Sequence, residues 1–104
     1  MMDLKGKQKR FLRSKANHMR PIFSVGKNGL DQTWLDEVKS AVDNRELIKI
    51  NIQQTADVDV KDVKQFIEEN SDIQIVQTIG KTLLLFKESC KESSRKLSVE
   101  VSDL

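Results

Sequence analysis

The chain has 104 residues, one domain's worth, since single cores fall mostly between about 50 and 200 residues. Its 38% hydrophobic and 33% charged residues, with one proline and four glycines, exclude a disordered or collagen-like chain. The longest uninterrupted apolar run, Leu83-Leu84-Leu85-Phe86, excludes a membrane-spanning helix, which needs about 20 such residues. No apolar stretch follows the basic start to serve as a secretory signal, and the single Cys90 excludes an internal disulfide or a cysteine-rich zinc site. The net charge of +2 conceals an asymmetry: residues 1–29 carry eight lysines and arginines against Asp3 alone, whereas residues 30–104 carry ten against fifteen acids. Such a division points to a polyanionic partner. A soluble, cytoplasmic, single-domain protein is expected.

Residues 5–19 have the periodicity of a helix. Leu4, Gln8, Phe11, Leu12, Ala16 and Met19 fall on one side, and Lys7, Lys9, Arg10, Arg13 and Arg20 spread over the opposite arc. Pro21 ends it, because the residue before a proline is biased away from helical geometry. Residues 22–25 form a short strand stopped by Gly26, and Gly26-Lys27-Asn28-Gly29 is a loop whose glycines are free to take positive φ. Asp31 caps a second helix with the stripe Trp34, Leu35, Val38, Ala41 and Val42, ending near Asn44.

Residues 47–52 alternate as a strand, Ile48, Ile50 and Ile52 against Lys49 and Asn51. Asp57 or Asp59 caps a third helix through Val60, Val63, Phe66 and Ile67. A strand follows over 72–79, through Ile73, Ile75 and Ile79. Gly80-Lys81 turns the chain into a buried strand at 82–86, closing a hairpin. After Glu88 the chain is polar, with only a faint alternation at Leu97, Val99 and Val101, so a domain over 1–88 and a flexible tail over 89–104 are expected. The order α-β-α-β-α-β-β makes an α/β fold, a mixed four-stranded sheet packed with helices.

Little supports catalysis. His18, the single histidine, lies on the basic helix away from any serine or cysteine nucleophile. Asp57, Asp59 and Asp62 suit helix capping better than calcium, which needs more oxygen ligands and a central glycine. Gly80-Lys81-Thr82 is not a P-loop end, since Ile75 stands where the pattern needs glycine and the turn joins two strands. Cys90 has no partner. No enzyme, cofactor, metal or small-molecule substrate is expected.

The surviving constellation joins the basic helix to the glycine loop. No acid occurs from Lys5 to Gly29, whereas ordinary solvated faces mix both signs. The loop runs into the start of a helix, where free N–H groups and the positive dipole end favour a phosphate, and a glycine-x-x-glycine clamp is a known RNA-binding device. Phe23 and Trp34 are core candidates rather than base-stacking platforms, so backbone and shape recognition is expected rather than base reading. Membrane attachment would need an exposed apolar face that Phe11, Leu12 and Met19 are better used to pack.

Gly6-Lys7-Gln8-Lys9-Arg10-Phe11-Leu12-Arg13-Ser14-Lys15-Ala16, Pro21-Ile22 with Val25-Gly26-Lys27-Asn28-Gly29, Arg45-Glu46-Leu47-Ile48-Lys49-Ile50 and Gly80-Lys81-Thr82-Leu83-Leu84-Leu85-Phe86 are four blocks in register. Together they resemble the CRM domain (chloroplast RNA splicing and ribosome maturation), in particular its small stand-alone bacterial YhbY-like members, over residues 4–88. The resemblance implies a fold similar to the C-terminal domain of bacterial translation initiation factor three. It also implies binding to precursors of the large ribosomal subunit through ribosomal RNA. By position it assigns RNA contacts to Gly26, Lys27, Asn28 and Gly29, with Lys7, Arg10 and Arg13 on the helix; the basic arc adds Lys9 and Arg20. Phe86-Lys87 departs from the tyrosine and arginine frequent in the family. A monomeric RNA-binding protein of ribosome assembly is expected, with a DNA-binding module or a ribosomal protein adaptor lacking RNA affinity as alternatives.

Overall fold

The computed structural model describes residues 4–27, 29–90 and 92–103. The elements are α1 (Gly6–Ala16), β1 (Phe23–Val25), α2 (Gln32–Arg45), β2 (Leu47–Ile52), α3 (Val60–Asn70), β3 (Gln74–Ile79), β4 (Thr82–Phe86), a 3-10 turn (Glu92–Ser94) and α4 (Leu97–Ser102). The expected order α-β-α-β-α-β-β is present and a fourth helix follows it.

Local chemistry sets the boundaries. The Lys5 amide donates to Gln8 Oε1 at 2.8 Å as α1 begins. The helix stops at Ala16, three residues short of the expected Met19, so Arg20 lies on the segment leading to Pro21 rather than on the helical arc. Asp31 caps α2 as expected, its carboxylate accepting from the Trp34 amide at 2.7 Å. Of the two candidates for α3 the cap is Asp59, which exchanges hydrogen bonds with Asp62 in both directions, at 2.9 and 3.0 Å.

The sheet order is β1-β2-β4-β3. β1 and β2 run parallel across the α2 crossover, with Phe23 opposite Ile50 and Val25 opposite Ile52. β4 inserts antiparallel between β2 and β3, and the hairpin turn passes through Gly80 at φ +56°. Both faces are used. Ile48, Ile50, Ile52, Leu83 and Leu85 pack against Leu35, Val38 and Val42 of α2 and Val63 and Ile67 of α3. On the other face Leu47, Val76, Leu84 and Phe86 lie beneath Leu12 and Ala16 of α1 and Val101 of α4. Each such aliphatic side chain contributes roughly 1.5–3 kcal/mol on full burial.

Two further sequence expectations are corrected. The alternation Ile73, Ile75, Ile79 does not run through β3, because the register slips between Ile75, opposite Leu85, and Gln77, opposite Leu84. This bulge puts Gln77 and Ile79 on the α1 side of the sheet, and Ile79 is 63% exposed instead of buried. The absence of regular structure expected after Glu88 is also not found. Leu97 and Val101, two of the three residues read as a faint strand, are four apart and share one side of α4, with Val101 fully buried while Val99 faces outward. No helix among the described residues is long and apolar enough to cross a membrane.

Candidate nucleic-acid interface

The loop after β1 is a tight turn in which the Gly29 amide donates to the Gly26 carbonyl at 3.0 Å. The two glycines serve different needs. Gly29 sits at φ +72°, the left-handed region. Gly26 has no positive φ; a Cβ there would come within 3.1 Å of Gln53 Oε1, the far end of an exposed side chain that can turn aside. Lys27 is exposed at the rim, and Asn28 lies outside the described residues.

The start of α2 is partly engaged by its own cap. The Asp31 carboxylate already occupies the Trp34 amide, and its negative charge opposes a phosphate at that helix terminus. What the loop offers is the turn's backbone and Lys27. Trp34 is engaged in packing: its indole Nε1 donates to the Ser24 carbonyl at 3.1 Å and its ring meets Phe66 at 6.4 Å. Phe23 packs against the same core.

Lys7, Lys9, Arg10 and Arg13 are exposed on α1 and Arg20 beyond it. Among the described residues none of these side chains, nor Lys27, pairs with a carboxylate; the ion pairs present are Lys64–Glu68 and Lys87–Asp43. The helix and the loop are not adjacent. α1 lies over Leu47, where β2 begins, and the loop lies beyond Val25, which is opposite Ile52 at the end of β2. Five residues of strand, about 16 Å, separate them. Lys9 flanks a groove with Glu68, Asp72 and Ile73 near β3, on the far side of the sheet from β1. The structure thus brings Arg20 and Lys27 to the two ends of β1, and leaves Lys9 away from them.

Between helix and loop the sheet is partly open. Register places Lys49, Leu84 and Gln77 in one row across three strands, and Ser24, Asn51, Thr82 and Ile79 in the next across all four. Lys49 Nζ donates to the Met19 carbonyl at 3.1 Å, tying the chain leaving α1 to this face, and Ser24 Oγ donates to Asn51 Oδ1 at 2.7 Å. Lys81 is exposed in the hairpin turn at the loop's end of the sheet, where its carbonyl accepts from the Ile52 amide at 2.8 Å. Sequence reasoning assigned Lys49 and Asn51 to the polar side of a strand but gave them no role. It missed Gln77 and Ile79 because only the bulge turns them to this side. Phe86 is fully buried, so the ring that departs from the family's tyrosine is a core side chain.

Comparison with known proteins agrees with this architecture. The chain is 49% identical over 86 residues to the probable RNA-binding protein YqeI of Bacillus subtilis, covering 83% of this chain and 90% of that one. It is 37% identical over 91 residues to an RNA-binding protein of Haemophilus influenzae, covering 86% and 90%. The solution structure of SAV1595 from Staphylococcus aureus, described as a candidate RNA-binding protein, superposes with a TM-score of 0.70 at 34% identity, covering 90% of this chain and 98% of that one. The CRS1 / YhbY (CRM) domain model matches residues 4–87, which spans every strand and the first three helices, and the chain belongs to that family.

Proposed function

We propose that this protein is a non-enzymatic RNA-binding protein that acts in assembly of the large ribosomal subunit by holding ribosomal RNA through its sugar-phosphate backbone. The observation that carries the reading is a set of exposed, unpaired cations, Lys7, Arg10, Arg13, Arg20 and Lys27, in a stretch from Lys5 to Gly29 that contains no acid. Lys9 belongs to the same stretch and would meet RNA on the β3 side. Relatives named as RNA-binding proteins support it. Capture is electrostatic, by counterion release from the phosphates. The turn closed by Gly26 and Gly29, with Asn28 between them, then lets the backbone approach where a side chain would obstruct it. The RNA-binding unit is residues 1–88, and the segment after it braces α1. The protein works as a monomer in the cytoplasm, without cofactor.

The test is binding to large-subunit ribosomal RNA with equal-length duplex DNA as competitor, for wild type and Lys27→Glu. Wild type binds RNA that DNA does not displace. Lys27→Glu weakens binding several-fold across RNA sequences, since the contact is to phosphate, with an unchanged thermal midpoint because Lys27 is exposed and unpaired. A variant that binds as tightly as wild type removes the loop from the interface. Displacement by DNA overturns the RNA reading, and retention on precursor particles after ribonuclease treatment makes the protein an adaptor.

A further inference from the structure

We propose that the uncovered part of the sheet holds one unpaired nucleobase of a single-stranded RNA segment, in the concavity bounded by Lys49, Gln77, Ile79, Thr82 and Leu84. The inference rests on the RNA reading above and extends it from backbone to base. The concavity measures about 180 Å³, and an apolar cavity of about 150 Å³ takes up a benzene ring. It therefore accommodates one ring system and is too small for a protein helix.

The bulge in β3 creates this site. Unbroken alternation would turn Ile79 toward the same side as Leu83, into the core; the slip after Ile75 sends Gln77 and Ile79 to the open side instead. Bulges commonly re-aim side chains at functional positions. The re-aimed isoleucine is the most exposed large apolar side chain of the described residues, at 63%. Leu84 borders the concavity from below but is only 3% exposed, so Ile79 supplies the aliphatic surface offered to the face of a ring. The Gln77 amide and the Thr82 hydroxyl stand at the edge with no hydrogen-bond partner among the described residues, and supply donors and acceptors to a base edge.

Charge argues for a nucleotide rather than an apolar peptide. No carboxylate lines the concavity. Lys49, which spends one of its three donors on the Met19 carbonyl, has two left for the phosphate that accompanies the base. Lys49 also lies between Arg20 and Lys27 along β1 and β2, since the Ile22 amide donates to the Lys49 carbonyl at 3.0 Å. A strand drawn from one cation to the other passes Lys49 at the edge of this site.

Affinities are measured for a short single-stranded RNA and for a ribose-phosphate strand of the same length without bases, using wild type, Ile79→Ala, Gln77→Ala and Lys27→Glu. With aliphatic rather than aromatic contact, Ile79→Ala should lose about fivefold on the base-bearing strand, the low end for a stacked base, and nothing on the baseless one. Gln77→Ala should follow the same pattern more weakly, and Lys27→Glu should lose on both. Unchanged binding of both Ile79→Ala and Gln77→Ala to the base-bearing strand overturns the pocket while leaving the RNA reading intact. Equal losses on the two strands also overturn it, because the patch then contacts backbone. Wild-type protein that binds neither strand at low salt overturns the RNA reading itself, and the pocket with it.

Discussion

Glu46 stands at the end of α2 in a backbone position that helices usually give to glycine, with φ +65°. The strain is retained because the side chain is fully buried and its carboxylate accepts from the Ser89 amide at 2.8 Å and the Ser98 amide at 3.0 Å. One carboxylate thereby fixes two points of the segment after β4. Glu46→Ala leaves two buried amides without a partner and should cost about 3 kcal/mol, a fall of more than about 10 °C in thermal midpoint. A change of a degree or two would show that the carboxylate does not hold the segment. The neighbouring Ser98 hydroxyl is buried with no partner among the described residues, so Ser98→Ala should raise stability by about 1 kcal/mol in the same unfolding measurement. The Glu46 role was not legible beforehand: Arg45-Glu46-Leu47 reads as an ordinary polar junction, and a carboxylate's partners 43 and 52 residues away leave no local signature.

At the scale of elements, α1 and α4 depend on one another. Gln8 links them, its Nε2 donating to the Val101 carbonyl at 2.9 Å while its Oε1 accepts from the Lys5 amide. α4 is six residues long, too short to be stable alone, and forms because Leu97 and Val101 find an apolar surface beside Leu12. Val101→Ala should therefore destabilise the whole domain by roughly 2 kcal/mol in denaturant unfolding; no effect would mean that α4 is an appendage. The other helices were readable because each carries its own stripe and, for α2 and α3, a capping aspartate in the right place. β3 was half readable. Its first half obeys the alternation, but a bulge is set by pairing with β4 and cannot be seen in β3's sequence alone.

For the molecule as a whole, the fold sets Arg20 of the exit segment, Lys49 of the open sheet and Lys27 of the turn in succession along β1 and β2, with Lys9 of α1 set apart toward β3. If Lys7, Arg10, Arg13, Arg20 and Lys27 each neutralise one phosphate, the logarithm of affinity for single-stranded RNA should fall with the logarithm of salt at a slope of roughly −3.5, and Lys27→Glu should make it shallower by at least about 0.7. A slope near zero in a salt series would remove electrostatic capture. Because helix and loop stand about 16 Å apart along β2, the RNA must be extended enough to reach both. A ligand that engages the loop alone should show a slope of only about −0.7.

Fold class, the order of the elements through β4, the Asp31 cap, the charge asymmetry and the family were all legible in the amino-acid order, since each rests on local periodicity or on residues close together in the chain. Two further matters were settled by packing, each through a contact between separate elements. The pairing of β3 with β4 turns Ile79 outward, beside an open concavity in the sheet. The buried Glu46 and the apolar side of α1 convert a polar-looking tail into a docked helix. Periodicity reports which side of an element is apolar; which neighbour covers that side, and where none does, is fixed only by the packing of the complete chain.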